Sequence, residues 1–183
     1  DLGQVADGNY LFQITTWDQF FLQTGFSPAN ALKPVFRFWS PTHSRHFYTL
    51  DEAERDKLIT QYSHFWTYEG IAYYAYEGPT QPDTSPVYRF WSPILSSHFY
   101  TMSESERDSL IQNRPDAWTY EGVAFYAYSL PNQRLGMNAV HRFWSGQSHF
   151  FTADDDEADK IATEWAHAWT PEGIAWYVYG LEA

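Results

Sequence analysis

Val35-Phe-Arg-Phe-Trp-Ser40 recurs as Val87-Tyr-Arg-Phe-Trp-Ser92 and again as Val140-His-Arg-Phe-Trp-Ser145. A second shared run follows each time: His46-Phe-Tyr-Thr49, His98-Phe-Tyr-Thr101 and His149-Phe-Phe-Thr152. Each copy closes on Trp66-Thr-Tyr-Glu-Gly-Ile-Ala72, Trp118-Thr-Tyr-Glu-Gly-Val-Ala124 or Trp169-Thr-Pro-Glu-Gly-Ile-Ala175. The arginines stand 52 and 53 residues apart, and His and Glu are separated by 23 in every copy. Roughly fifteen positions aligned three times over is beyond chance, so the chain holds three copies of one unit. Length changes only in the loop before the histidine, Pro41–Arg45 and Pro93–Ser97 against the shorter Gly146–Ser148.

Inside one copy the two aromatic, β-branched runs are split by Pro, Ser or Gly and read as a hairpin. Capping boxes come next: Asp51 with Glu54, Ser103 with Glu106, Asp154 with Glu157. They predict helices over 52–61, 104–113 and 155–167. Glu-Gly followed by Ile/Val-Ala and more aromatics predicts a last strand entered through a glycine kink. Residues 77–86 and 129–139, rich in Pro, Gly, Ser and Asn, read as linkers. The domain reading is a segment 1–34, matching no copy and taken as a cap or ring-closing piece, then one domain 35–183 of repeats 35–86, 87–139 and 140–183. A unit this small cannot bury its strands alone. The expected fold is α+β and β-rich, with three pseudo-symmetric strand-strand-helix-strand repeats closed around a pseudo-threefold axis.

Composition narrows the function. The 183 residues carry 11 Lys plus Arg against 23 Asp plus Glu, a formal charge of −12, which repels a phosphate backbone and argues against nucleic acid. There is no cysteine, hence no disulfide, thiol nucleophile or thiolate metal site. No apolar stretch approaches the roughly 18–20 residues of a membrane span. The start at Asp1 reads as a processed product or excised module. Aromatics are 20% of the chain, enough that some rings must lie near the surface.

The recurring polar and aromatic side chains are the candidate ligand-binding set: Arg37, Trp39, His46, Tyr48 and Glu69; Arg89, Trp91, His98, Tyr100 and Glu121; Arg142, Trp144, His149 and Glu172. Two explanations stand side by side. In one, Arg pairs with the Glu of its own copy to fix strand register, with the tryptophans as core. Alternatively, Arg, Glu and His supply planar donors and acceptors for sugar hydroxyls while an aromatic ring receives the apolar face of a pyranose. Catalysis is disfavoured, since no Gly-x-Ser-x-Gly elbow is present. A His₃ metal site at His46, His98 and His149 is disfavoured because each lies beside a loop of variable length, pointing to the periphery. Asp154-Asp-Asp-Glu157 lacks the ligand alternation of a calcium loop and reads as a cap. No cofactor or metal is expected.

These motifs resemble a repeat family of secreted bacterial and fungal proteins, lectin-like and largely without assigned activity. Its marker pattern is Tyr-Arg-Phe-Trp, then His-Phe-Tyr-Thr, then Trp-x-Tyr-Glu-Gly-x-Ala, and the resemblance covers about 35–179. It implies an extracellular or cell-surface, carbohydrate-directed role, in a module that can be fused to a secreted hydrolase or adhesin. Copy three departs from it at Phe151, Pro171 and the short loop, which predicts a weakened site there. The expectation is a non-catalytic, multivalent module with up to three sites for a neutral sugar or glycan. The alternative is a protein–protein adhesion or scaffold module using exposed Tyr and Trp.

Overall fold

The computed structural model describes residues 32–181. Element order within each copy is strand, strand, helix, strand. The first copy has β1 (Leu32–Ser40), β2 (Arg45–Thr49), α1 (Glu52–Gln61) and β3 (Thr67–Tyr76). The second has β4 (Thr84–Ser92), β5 (Ser97–Thr101), α2 (Glu104–Asn113) and β6 (Thr119–Tyr128). The third has β7 (Met137–Trp144), β8 (His149–Thr152), α3 (Asp155–Glu164) and β9 (Thr170–Tyr179).

All pairings among the described residues are antiparallel. β1 lies between β2 and β3, β4 between β5 and β6, and β7 between β8 and β9. The triplets join through single residue pairs: Tyr76 with Tyr126, Tyr128 with Tyr177, and Tyr74 with Tyr179. Strands β4 and β7 begin inside the stretches read as linkers. Pro86 is tolerated in β4 because the β5 ladder starts only at Tyr88, leaving that side of the strand unpaired.

This corrects the expected fold class. Among the described residues the protein is mostly β, a nine-stranded antiparallel sheet with three short helices, rather than α+β repeats closed around a pseudo-threefold axis. The helices bury almost nothing: no residue of α1 or α2 is buried, and only Ala158 of α3 is. They cover the sheet locally and do not form a second layer. Neither a closed barrel nor a threefold rotation is shown among the described residues, and the joins between triplets are too sparse for a continuous ladder. Of the segment read as a cap, Leu32–Pro34 belong to β1 and the rest lies outside the described residues.

The largest buried cluster gathers Val35, Val87 and Val140, Tyr48, Tyr100 and Phe151, and Tyr73, Phe125 and Trp176. Three satellite clusters sit under the helices: Phe36, Phe38 and Phe47 with Leu58 and Trp66; Tyr88, Phe90 and Phe99 with Leu110 and Trp118; Phe143, Phe150 and Ala158 with Ile161 and Trp169. No helix of the described residues is long and apolar enough to cross a membrane.

Candidate functional site

Strand alternation sends Phe36, Phe38 and Ser40 to one face and Arg37 and Trp39 to the other. Across the hairpin Arg37 pairs with Tyr48 and Trp39 with His46, whose rings lie 4.7 Å apart. On the other side Arg37 faces Gly70, between two register shifts. Gly70, Gly122 and Gly173 have φ of 103°, 102° and 94°, a region that disfavours side chains, and each kink sets the preceding Glu beside its arginine.

Each arginine is then held twice. Arg89 Nε lies 2.9 Å from Glu121 Oε2, while Nη1 and Nη2 donate to Glu54 at 2.9 and 3.0 Å. Arg37 Nε lies 3.0 Å from Glu69, and its fork donates to Glu157 at 2.8 and 3.2 Å. Arg142 Nε lies 3.0 Å from Glu172, with Glu106 taking the fork. The histidines complete the constellation: His46, His98 and His149 Nε2 stand 3.4, 3.4 and 3.2 Å from the same Oε2 atoms.

The own-copy Arg–Glu pair is the one the sequence suggested. The second carboxylate is not. Glu54, Glu106 and Glu157 are the third residues of the helix caps, and their backbone N–H groups donate to Asp51, Ser103 and Asp154 as a capping box requires. The reciprocal half of the box is missing because a threonine replaces it. Thr49 Oγ1 accepts from Asp51 N at 3.0 Å and donates to Glu54 Oε2 at 2.5 Å; Thr101 does the same for Ser103 and Glu106. Freed from the cap, the carboxylate reaches the arginine of another copy.

Burial alone would raise the Glu69 and Glu121 carboxyls, but His46 and His98 hydrogen bonds and the neighbouring guanidinium charges outweigh it and hold both low. Glu106 is likewise held low against burial, by Thr101 and Arg142. Arg37 and Arg89 resist the lowering effect of burial through these acidic neighbours and stay charged. His149 is pushed down to about 4, first by burial and then by the Arg142 charge.

The predicted residues therefore separate. Arg, His and Glu come together, but across copy boundaries: Arg89 and His98 lie against Phe47, Arg142 and His149 against Phe99, Arg37 and His46 against Phe150. Trp39, Trp91 and Trp144 are half-buried, each against its own histidine. Tyr48 and Tyr100 do not join the set. Both are 1% exposed, and their hydroxyls are spent on main chain: Tyr48 on Phe151 O at 2.8 Å, Tyr100 on Tyr48 O at 2.7 Å. The substitution at Phe151 therefore falls in the core.

A groove of about 360 Å³ runs between α2 and the third copy. Its apolar lining is Phe99, Leu110 and Trp118; α2 adds Ser105, Glu106 and Ser109, and the third copy adds Arg142, His149 and Glu172. Arg142 Nε and His149 Nε2 stand 3.0 and 3.2 Å from the same oxygen of Glu172, Oε2. A larger cavity of about 500 Å³ beside α1 is lined by Asp51, Glu52, Glu54, Glu77 and Glu121, with Lys33 and Arg89 as its cations.

The variable loops also behave differently from expectation. They converge, because Arg45, 9% exposed, donates to Ser44 O, Leu95 O and Gln147 Oε1, one acceptor from each copy. Loop position therefore gives no reason to place the histidines at the periphery. Among the described residues no cluster of His, Asp and Glu is arranged to hold a metal ion.

No curated protein and no solved structure matches the chain. Two stretches, residues 9–128 and 34–179, match the model of one family. Since these matches cover most of the sequence, the protein belongs to the family described as "Domain of unknown function (DUF5648)".

Proposed function

We propose that the protein is a non-catalytic, lectin-like module that binds a neutral sugar or glycan at the extracellular or cell-surface side. The groove between α2 and the third copy carries the reading. Its lining combines an indole, Trp118, with a carboxylate, Glu172, whose Oε2 lies 3.0 Å from Arg142 Nε and 3.2 Å from His149 Nε2. Aromatic wall plus preorganised acceptor is the chemistry a pyranose needs, with an apolar face on one side and hydroxyls at the edge. Its volume of about 360 Å³ suits a sugar ring or two. The guanidiniums are neutralised by two carboxylates each, so they offer little to an anionic ligand. With a charge of −12 overall, polyanionic glycans are further disfavoured.

A glycan array followed by calorimetry with the best hit tests this. Ser109→Trp is the diagnostic variant, because Ser109 is exposed on α2, lines the groove and touches no ion pair. It should abolish binding in the groove without changing the melting temperature. Undiminished affinity in that variant for every glycan bound would remove the groove from the account.

A further inference from the structure

Three residues that the repeat does not repeat meet at one place. Aligned by the constant His–Glu spacing, Phe65 corresponds to Ala117 and Ala168, His43 to Leu95, and Arg45 to Ser97 and Ser148. At the junction of the first two copies, His43, Phe65, Trp66, Trp91 and Ser96 line a slot of about 290 Å³. We propose that this slot is a distinct binding site for a single neutral pyranose ring, a proposal that rests on the carbohydrate reading above and adds a site outside the Arg–His–Glu groove.

The slot is rigid before any ligand arrives. Trp66 packs on Phe47, Phe47 on His98 and His98 on Trp91, with ring centroids 6.0, 4.7 and 4.7 Å apart, so both indoles are fixed through one continuous stack. Phe65 is held by its N–H bond to Tyr62 O at 2.9 Å and by the His64 ring at 4.1 Å, yet stays 41% exposed. Arg45 fixes the polar rim. Its guanidinium clamps Ser44 O, next to His43, and Leu95 O, next to Ser96. Fixed aromatic walls and a fixed polar rim reduce the ordering cost of binding.

The lining selects the ligand class. The two grooves described above are acid-lined, whereas the described residues lining this slot include no carboxylate, and its rim groups are an imidazole and a hydroxyl. Indole and phenyl faces receive the axial C–H face of a sugar, while imidazole and hydroxyl exchange hydrogen bonds with its edge. Its volume admits one ring and is too small for a folded peptide element.

The test uses the full chain and four probes: methyl β-D-glucopyranoside, methyl β-D-galactopyranoside, methyl α-D-mannopyranoside and N-acetyl-D-glucosamine. Binding is read by the indole N–H resonances of Trp66 and Trp91 in nitrogen-15 spectra. At least one probe should shift both resonances. Phe65→Ala and His43→Ala, at exposed positions, should each weaken that response roughly tenfold, while Ser109→Trp leaves it unchanged. A wild-type response that survives both slot variants overturns the slot and leaves the groove standing. A wild type that binds none of the probes in either place overturns the slot together with the carbohydrate reading.

Discussion

Removing the guanidinium of Arg89 is the sharpest test of what the recurring arginine does. Its side chain is 17% exposed, and its two partners, Glu54 and Glu121, are 35% and 28% exposed. Arg89→Ala deletes the Nε contact at 2.9 Å, both arms of the fork and the contact over Phe47 at 5.5 Å. It also strands two carboxylates, leaving Glu54 with the Thr49 hydroxyl and Glu121 with His98. Breaking a fully buried pair costs about 3–5 kcal/mol, and an exposed pair about 0–1. Partners about one-third exposed place this case between the limits, at about 2–4 kcal/mol. For a chain of this size that is a fall in melting temperature of roughly 5–15 °C. Scanning calorimetry at pH 7 reads it directly, with Glu52→Gln, at a side chain 71% exposed, as the silent control. Arg89→Met combined with Glu54→Gln should recover part of the loss relative to Arg89→Met alone, since the stranded charge is removed with its partner. An Arg89→Ala variant melting within about 2 °C of wild type would refute the inter-copy lock.

Three further outcomes follow from the same geometry. Phe151→Tyr should raise stability by about 0.5–1.5 kcal/mol: the Phe151 ring meets Tyr100 edge-on at 5.9 Å, as Tyr48 meets Phe151, so a new hydroxyl can reach the Tyr100 main chain. Urea unfolding reads the gain, and a loss would mean that the core has no room there. Gly122→Ala should cost about 1–3 kcal/mol through backbone strain at φ 102°, because an added Cβ would meet nothing within 4 Å; an unchanged melting temperature contradicts this. Stability should also fall on acidification in two stages. Below the ordinary histidine value of 6.5 the unfolded chain takes up a proton that folded His149, held near 4, refuses, at a cost of up to about 3 kcal/mol. Further down, as pH passes below the usual carboxylate range toward the lowered values of Glu69, Glu106 and Glu121, their contribution is lost too. His149→Gln should flatten the first stage in a pH series of thermal melts, and an unaltered slope there would show that His149 is not its source.

How far the chain could be read depended on how local the physics was. Strand runs, caps and glycine kinks are decided within a few residues, and the helices start where Asp51, Ser103 and Asp154 place them. The own-copy arginine–glutamate pair was visible because its spacing recurs. The second carboxylate recurs just as faithfully, but its capping role already explained it, and its partner lies 35, 36 or 120 positions away. Thr49 and Thr101 held the clue: a threonine that takes over the N-cap N–H releases the glutamate for another task. The helices suggested an α+β architecture because their caps are strong, yet Glu-Ala-Glu-Arg-Asp-Lys-Leu-Ile-Thr-Gln of α1 offers too few apolar positions to build a layer. Tyr48 and Tyr100 looked like amphipathic ligand contacts, and only the meeting of edge strands β2, β5 and β8 shows that their hydroxyls serve main chain instead.

Recurrence within one chain thus has a physical meaning that differs from importance for binding. A polar residue repeated three times is required wherever the same junction is built three times, and Arg37, Arg89 and Arg142 each spend both Nε and the fork on such a junction. A group so neutralised has little left for a ligand, although it can hold Glu172 or Glu121 still for one. Selectivity is then to be sought where the copies disagree. His43, Arg45 and Phe65 break the repeat, two of them line one slot, and the third clamps its rim. Arg45 also ties in the third copy through Gln147 Oε1, whereas His43 and Phe65 lie at the junction of the first two copies. If the slot binds as proposed, scaffold and recognition divide along that line: the recurring residues build the junctions, while His43 and Phe65 give the junction of the first two copies a lining that the other copies do not repeat.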